Sequence, residues 1–364
     1  MKTSDQRITY LYKSLKHHPS PFIICEIEGD IKWTNLACNF IFRLKNKSDL
    51  TIKDIHSYKE KDSKKEDEIA NSYDTSIKVT LRNINFFVRT RIHEIPGNGS
   101  KDFLLVEILC PSRLGLEALQ KTIACIEYDR IELAYQKQVD LKTNKVTGIE
   151  ALLRMKDENN EFISNDQIIP QIEGESLFSL VVMASIDKLK DFLKARESLG
   201  LLDSTIYLNV SAHTIMLPEF CNIFTNLVDE MNLGPNEFGL EVTETAELGN
   251  TELAGKALKI LKNKGIKIAL DDFGAGYSSL RYLKDLPVDV VKLDKVFTNG
   301  LEDPTTNKVI SFVVEVCRAL NLEMIGEGIE TEKQKNEMLK IGCNIGQGYL
   351  MHRPEFLKTF KKVK

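Results

Sequence analysis

The sequence has no paired-cysteine signature. Its seven cysteines (Cys25, Cys38, Cys110, Cys125, Cys221, Cys317 and Cys343) are scattered, with no CxxC and no finger-like spacing. No disulfide framework or zinc finger can be read from them, and an odd, unframed count fits a reducing compartment. No apolar run approaches the roughly 18 residues that a membrane span needs. The opening stretch MKTSDQRITYLYKSLKHHPS has no apolar signal core. Nor does one sign of charge dominate: the net charge is −4, so composition gives no general polyanion-binding signal. These absences lead us to expect a cytoplasmic chain with no membrane span and no nucleic-acid polymer as partner. What is present is ordinary globular composition, 42% hydrophobic and 28% charged over 364 residues, a length that suits about two domains.

The two halves differ in texture. PFIICEI (21–27) and IKWTN (31–35) read as strands around a turn at Glu28-Gly29-Asp30, followed by a short helical segment, LACNFIFRL. The run KEKDSKKEDE (59–68) has mixed charge and no apolar content, which marks a solvated loop or exposed helix turn. INFFVRTRIHEI (84–95), a Pro-Gly-Asn-Gly turn and DFLLVEIL (102–109) then read as a closing antiparallel hairpin. This is a small α+β, sensor-like pattern. Residues 113–127, RLGLEALQKTIACIE, carry a helical apolar stripe. That helix either joins the halves or packs on the second one.

From residue 130 onward, apolar strand-like runs alternate with helical stretches. The runs are IELAYQKQVD, GIEALLRM, IYLNVS, FGLEVTE, IKIALDD, DVVKLD, EMIGEGI and IGQGYLM. ELAGKALKILKNKG (252–265) and TTNKVISFVVEVCRALN (305–321) have helical periodicity, with Gly265 at a C-cap. Eight such strands predict a β/α barrel. Only LKTNKVT separates the first two, too short for a parallel crossover. The expected fold is therefore α/β: a modified (β/α)8, TIM-like barrel with one antiparallel strand, preceded by a smaller α+β domain. The expected division is 1–110 sensory, 111–128 connecting helix and 129–364 barrel.

Polar residues interrupt these buried strands: Glu150, Asn209, Glu241, Asp271 with Asp272, Lys292, Glu327 and Gln347. Each is expensive to bury alone, and adjacent acids also repel one another. At the strand ends of a barrel they converge on one mouth. Five carboxylates and two amides, with no histidine or cysteine, suit hard cations such as Mg²⁺ or Mn²⁺ rather than zinc. The acids outnumber the needs of one ion. Two ions about 3.5–4 Å apart are a recurrent device for displacement at phosphate esters, with Asp271 bridging them and Asp272 completing the second. Lys292 can orient or deprotonate the attacking water, or stabilise charge at the phosphate, and Arg154, four residues after Glu150, can give a forked phosphate contact. Taken singly, each residue has an ordinary explanation. A strand glutamate can sit at an edge or pair with arginine, and Asn209 and Gln347 can be structural hydrogen bonders. Lys292 can pair with Asp289 or Asp294, and Asp271-Asp272 can be a turn or cap. The weight lies in their coincidence on strand after strand.

The ordered motifs YQ (135–136), Glu150-Ala151-Leu152, LNVSA (208–212), EVTE (241–244), DDFGAGYSSL (271–280), VKLD (291–294), GEGIET (326–331) and GQGYLMHRP (346–354) resemble the EAL-domain family of cyclic-di-GMP phosphodiesterases over residues 130–352. The resemblance implies hydrolysis of cyclic di-GMP to linear pGpG in bacterial signalling. By motif, Glu150, Asn209, Glu241 and Asp271 match ligands of the first metal, and Asp272 matches a ligand of the second, with Asp271 shared. Lys292 matches the lysine that positions or activates water, and Glu327 a carboxylate of the metal and water network. Gln136, Arg154 and Gln347 match substrate-binding positions. Glu244 matches the glutamate that anchors the loop after DDFG, a loop associated with dimerisation and metal occupancy. Residues 15–110, through PFIICEIEGDIKWTNLACNFIF, resemble a PAS domain. Such domains often bind small cofactors or mediate dimerisation, so a homodimer through either half is expected. No cofactor is assigned here: His56, His93, Cys25 and Cys38 each read as structural.

Three positions depart from the family pattern. Lys137 stands where Pro commonly follows YQ, Ala275 replaces a usual Thr, and Gly326 replaces a usual Ala. None removes a metal ligand. No GGDEF-type cyclase motif is found. The alternatives are a receptor that binds without hydrolysis and an interaction protein with gated activity. Retention of the acids and Lys292 argues for the enzyme.

Overall fold

The structure, a computed structural model, describes residues 22–26, 31–34, 50–53, 72–81, 84–95, 103–108, 118, 121–126, 128–172, 176–216, 218–243, 251–274 and 280–363. Two compact units are present: residues 1–130 with 155–181, and residues 131–154 with 182–364. No helix among the described residues is long and apolar enough to cross a membrane.

In the first unit, strands β1 (Phe22–Glu26), β2 (Ile31–Thr34), β3 (Leu50–Lys53), β4 (Ser72–Leu81), β5 (Ile84–Ile95) and β6 (Phe103–Ile108) form a sheet in the order β2-β1-β6-β5-β4-β3. Every pairing is antiparallel. The four predicted strands are β1, β2, β5 and β6. Strand β1 lies inside the sheet, and its run FIICE is buried throughout. Strand β4, SYDTSIKVTL, carries too little apolar residue to announce itself. It is held by pairing with β5 from Ser72↔His93 to Leu81↔Ile84. The predicted helix LACNFIFRL and the charged run 59–68 lie outside the described residues. Of the predicted helix 113–127, residues 118 and 121–126 are described and helical.

The remaining strands are β7 (Ile131–Asp140), β8 (Val146–Lys156), β9 (Phe162–Ile163), β10 (Thr205–Val210), β11 (Phe238–Thr243), β12 (Lys267–Phe273), β13 (Val290–Leu293), β14 (Glu323–Gly326), β15 (Ile345–Gly346) and β16 (Glu355–Phe356). They run in the order β16-β7-β15-β14-β13-β12-β11-β10-β8-β9, and a further β7–β8 pairing closes an eight-stranded barrel of β7, β8 and β10 to β15. From β8 through β15 the barrel pairs are parallel, whereas β7 runs against β15. The reversed strand follows from the short β7–β8 link. Asp140 closes it, accepting at Oδ1 from the Lys142 and Thr143 amides at 3.0 and 2.7 Å. Asn144 supplies the left-handed residue at φ 58°.

Helices alternate with the parallel strands. Thr251–Asn263 ends at Gly265, whose φ of 86° is the left-handed conformation that favours glycine after a helix. Pro304–Ala319 begins with Asp303 as its cap and buries Ile310, Val313, Val314 and Cys317, the 3.6-residue stripe read from the sequence. One layer of the barrel interior is formed by Tyr207, Ala269, Val290 and Ile325, with Ile345 packed against them. Asn209 and Lys292 each lie two residues further along their strands than members of this layer, so they face the same interior one step nearer the C-terminal rim.

Candidate active site

Six strand ends bring the predicted acids, amide and lysine together. Glu150 sits in β8, Asn209 in β10, Glu241 in β11, Asp271 and Asp272 in β12 and Lys292 in β13, while Glu327 directly follows β14. Register supports the convergence, because Asn209 pairs with Glu241 across β10 and β11. Lys292 lies at the centre. Its Nζ is 2.6 Å from Glu241 Oε2, 2.9 Å from Asp271 Oδ1, 2.9 Å from Glu327 Oε1 and 3.5 Å from Glu150 Oε2. The lysine is 1% exposed and Glu241 is 0% exposed, so these charges meet away from bulk water. The surface pairings open to Lys292 are taken elsewhere. Asp289 bonds Lys262 at 2.7 Å, and Asp294 caps the helix Lys295–Asn299 through the Val296 amide.

Amides hold the rest of the cluster. Asn209 Nδ2 donates to Glu150 Oε1 at 2.7 Å, and Gln347 Nε2 to Glu150 Oε2 at 2.5 Å. Gln347 Nε2 also reaches Gln136 Oε1 at 3.0 Å, while Gln136 Nε2 donates to the His352 carbonyl at 2.9 Å. Glu327 is fixed through its backbone. Its amide donates to the Leu293 carbonyl at 3.1 Å, and its own carbonyl accepts from Thr298 Oγ1. Arg154 is half-buried, and its guanidinium donates to the Leu153 carbonyl at 2.7 Å. Glu244 lies outside the described residues.

The adjacent acids have a backbone explanation. Successive side chains of a regular strand point to opposite faces, so Asp271 and Asp272 should diverge. Here β12 breaks register with β13 between Leu270 and Phe273. Asp272 adopts φ 53° and Gly274 φ 97°. Aspartate tolerates that region better than most residues, and a Cβ at Gly274 would lie 2.1 Å from the Phe297 ring. The irregularity keeps Asp271 buried and Asp272 exposed. Even so, one oxygen from each, with one from Glu327, lies within a mutual 4.8 Å. A second trio, Glu150, Glu241 and Asp271, meets the same limit.

Electrostatics follow from burial. Burial, then the charge of Glu150, pushes Glu241 well above the usual carboxylate range. Burial raises Asp271 too, against the pull of Lys292. Asp272, exposed overall but partly covered at its carboxyl, is raised to about 6 by that partial burial and by Asp271, and Glu327 to about 8 by burial. Glu150 is the exception. Burial opposes its charge, but Lys292 and the amides of Gln347 and Asn209 outweigh it and hold the group low. Burial likewise works against the Lys292 ammonium, but Asp271, Glu150, Glu241 and Glu327 hold its pKa well above the ordinary value. One ammonium cannot balance five carboxylates. Among the described residues, the buried Gln347 Oε1 oxygen also has no hydrogen-bond partner. Excess anionic oxygen and two trios at ligand spacing, with no sulfur or imidazole in either trio among the described residues, fit hard divalent cations.

One participant escapes the motifs. Gln138, two residues beyond Gln136 on β7, donates Nε2 to Glu241 Oε1 at 3.1 Å. The period of two along IELAYQKQVD places both glutamines on one face, the only sequence signal that points to it.

Residues 116–354 match the family described as EAL domain. Over 240 residues the chain is 32% identical to the bifunctional diguanylate cyclase/cyclic di-GMP phosphodiesterase MucR of Pseudomonas aeruginosa, covering 66% of this chain and 35% of that protein. The chain thus spans about a third of that relative's length. Among solved structures, the PaMucR phosphodiesterase in complex with c-di-GMP aligns with TM-score 0.60 and 32% identity, over 66% of this chain and 98% of that one. The EAL enzyme Bd1971, in its cAMP- and cyclic-di-GMP-bound form, aligns with TM-score 0.62 and 27% identity, over 68% and 69% of the two chains. With two thirds of its length matched and the acidic cluster set at the rim of an eight-stranded barrel, this chain belongs to the EAL-domain family.

Proposed function

We propose that the chain is a metal-dependent phosphodiesterase that hydrolyses cyclic di-GMP to linear pGpG. The observation that carries this reading is the gathering of Glu150, Glu241, Asp271, Asp272 and Glu327 around Lys292 at one barrel rim. Relatives named for cyclic-di-GMP hydrolysis and binding support the substrate. Two Mg²⁺ or Mn²⁺ ions, when bound, would acidify water and neutralise phosphoryl charge. Glu150, Asn209, Glu241, Asp271, Asp272 and Glu327 are the residues assigned to hold them. Lys292 is assigned to orient or deprotonate the attacking water, with Glu327 and Glu150 completing the catalytic group. Gln136, Arg154 and Gln347 are assigned to the dinucleotide. In this assignment Arg154 exchanges its bond to the Leu153 carbonyl for a phosphate, a stronger, charge-assisted partner.

The same reading makes residues 1–110 a PAS-like regulatory domain, 111–128 a connecting helix and 129–364 the catalytic domain. The antiparallel sheet β1–β6 supports the first of these. It also includes Glu244 as the anchor of the loop after DDFG, and a homodimer in the cytoplasm, which the mass of the purified protein in solution tests. Catalysis is tested by incubating the purified chain with cyclic di-GMP and either Mg²⁺ or Mn²⁺. Release of pGpG is expected, and its absence with both ions overturns the proposal.

A further inference from the structure

Strands β7 and β11 are not neighbours in the barrel, since β8 and β10 stand between them. The bond from Gln138 Nε2 to Glu241 Oε1 therefore crosses the barrel interior. Both residues are buried, Gln138 at 1% exposure. A cross-barrel contact needs space, and Gly148 on β8 provides it. A Cβ there would fall 2.3 Å from Gln138 Oε1 and 3.2 Å from the Tyr207 ring. The Gln138 backbone is held in turn, its carbonyl accepting from Thr147 Oγ1 at 3.3 Å.

The two oxygens of Glu241 consequently have different partners: Oε1 takes the amide, and Oε2 takes Lys292 at 2.6 Å. A buried carboxylate with only one oxygen satisfied can rotate about its last bond, and it bears the penalty of an unpaired polar atom. With both oxygens held, its plane is set. We infer that Gln138 is a positioning residue for the cation site, fixing the Glu241 carboxylate so that Oε2 stays turned toward Lys292, around which Glu150 and Asp271 also gather. The inference rests on the reading of Glu241 as a cation ligand. Hydrogen bonds behind a ligand set its orientation and commonly govern affinity by about 10–100-fold.

The test is calorimetric titration of the full chain with Mn²⁺ alone, without nucleotide. Gln138→Met conserves volume and removes the amide. The expected result is Mn²⁺ affinity weakened about 10–100-fold, with KM for cyclic di-GMP at saturating Mn²⁺ within about twofold of the parent. Wild-type Mn²⁺ affinity in this variant, even with a lower melting temperature, would mean that Gln138 is structural only and overturns the inference. If Gln138→Met does not fold, Gln138→Asn reads the same quantity. Its amide is one methylene short of Glu241, so the same weakening is expected, and undiminished affinity is equally fatal. A parent chain that takes up no Mn²⁺ removes the cation reading itself and this inference with it, an outcome distinct from equal binding by parent and variant.

Discussion

Lys292 Nζ lies 2.6 Å from Glu241 Oε2, the closest of its four carboxylate contacts, in a pair that is almost wholly buried. Removing one partner of a buried ion pair typically costs about 3–5 kcal/mol, because the other is left uncompensated. Lys292→Met should therefore lower the melting temperature of metal-free protein markedly. Added Mg²⁺ or Mn²⁺ should restore much of the loss by supplying positive charge to the same acids. Thermal unfolding in chelator and in excess cation checks this. Equal melting temperatures for parent and variant in chelator would show that the lysine does not hold the acids together.

Glu150 accepts from both Asn209 and Gln347 and lies 3.5 Å from Lys292. Glu150→Ala removes an assigned cation ligand and takes the shared carboxylate partner from the half-buried Asn209 amide and the buried Gln347 amide. Turnover of cyclic di-GMP should fall at least about a hundredfold, beyond the usual effect of losing a partner behind a ligand. Initial rates at saturating metal measure it, and near-normal turnover would refute the assignment.

The barrel was legible because apolar strand-like runs, interrupted by a few polar residues, alternate with helical stretches. The reversed first strand was legible because LKTNKVT is too short to cross over. Other features have no local signature. Gln138 reads as an ordinary polar residue until the closed barrel places it opposite Glu241. The turn that aims Asp271 and Asp272 at Glu327 depends on a register break with β13, which pairing creates and composition does not record. Arg154 spends its guanidinium on the neighbouring carbonyl, a matter of rotamer rather than residue type. Strand β4 is polar along much of its length and exists through its partner β5.

Glu327 gives a pH signature. Burial raises it to about 8 in the folded, metal-free chain, against about 4.3 for an unperturbed glutamate. A carboxyl raised on folding contributes stability that is fully present below its unfolded pKa and lost as pH rises through the folded value. Metal-free parent should lose stability between about pH 4.3 and 8, and Glu327→Gln should lack that component. Its melting temperature should gain several degrees on the parent across the window, at roughly 2–4 °C per kcal/mol for a domain of this size. Bound cation should flatten the parent's slope by replacing the proton. Parallel curves for the two proteins in chelator would contradict the account.

Asp272 combines a left-handed backbone with repulsion from Asp271, which contributes to raising it to about 6. Asparagine accepts the same φ without the charge. Asp272→Asn should therefore raise the metal-free melting temperature at pH 8 by a few degrees while lowering turnover at least about tenfold. That opposition of stability and function is what a ligand held against its own electrostatics produces. A variant that lost stability, or kept full turnover, would remove Asp272 from the ligand set.

Gly326, where the family usually has alanine, ends β14 just before Glu327. A Cβ there would lie 2.8 Å from Met338 Cε and 3.4 Å from Cys343 Sγ. The close atom is the end of a flexible thioether chain, which can shift more readily than backbone. The crowding cost should stay within about 1 kcal/mol, and alanine returns about 0.4–1 kcal/mol by narrowing the unfolded ensemble. Glu327 is placed by the Leu293 carbonyl and Thr298 Oγ1, neither of which the new methyl contacts. Gly326→Ala should thus change stability by less than about 1 kcal/mol and turnover by less than about twofold. Urea unfolding and initial rates decide the matter. A tenfold loss of turnover with stability intact would mean that the glycine at this strand end sets the Glu327 position and that the backbone hydrogen bonds alone do not.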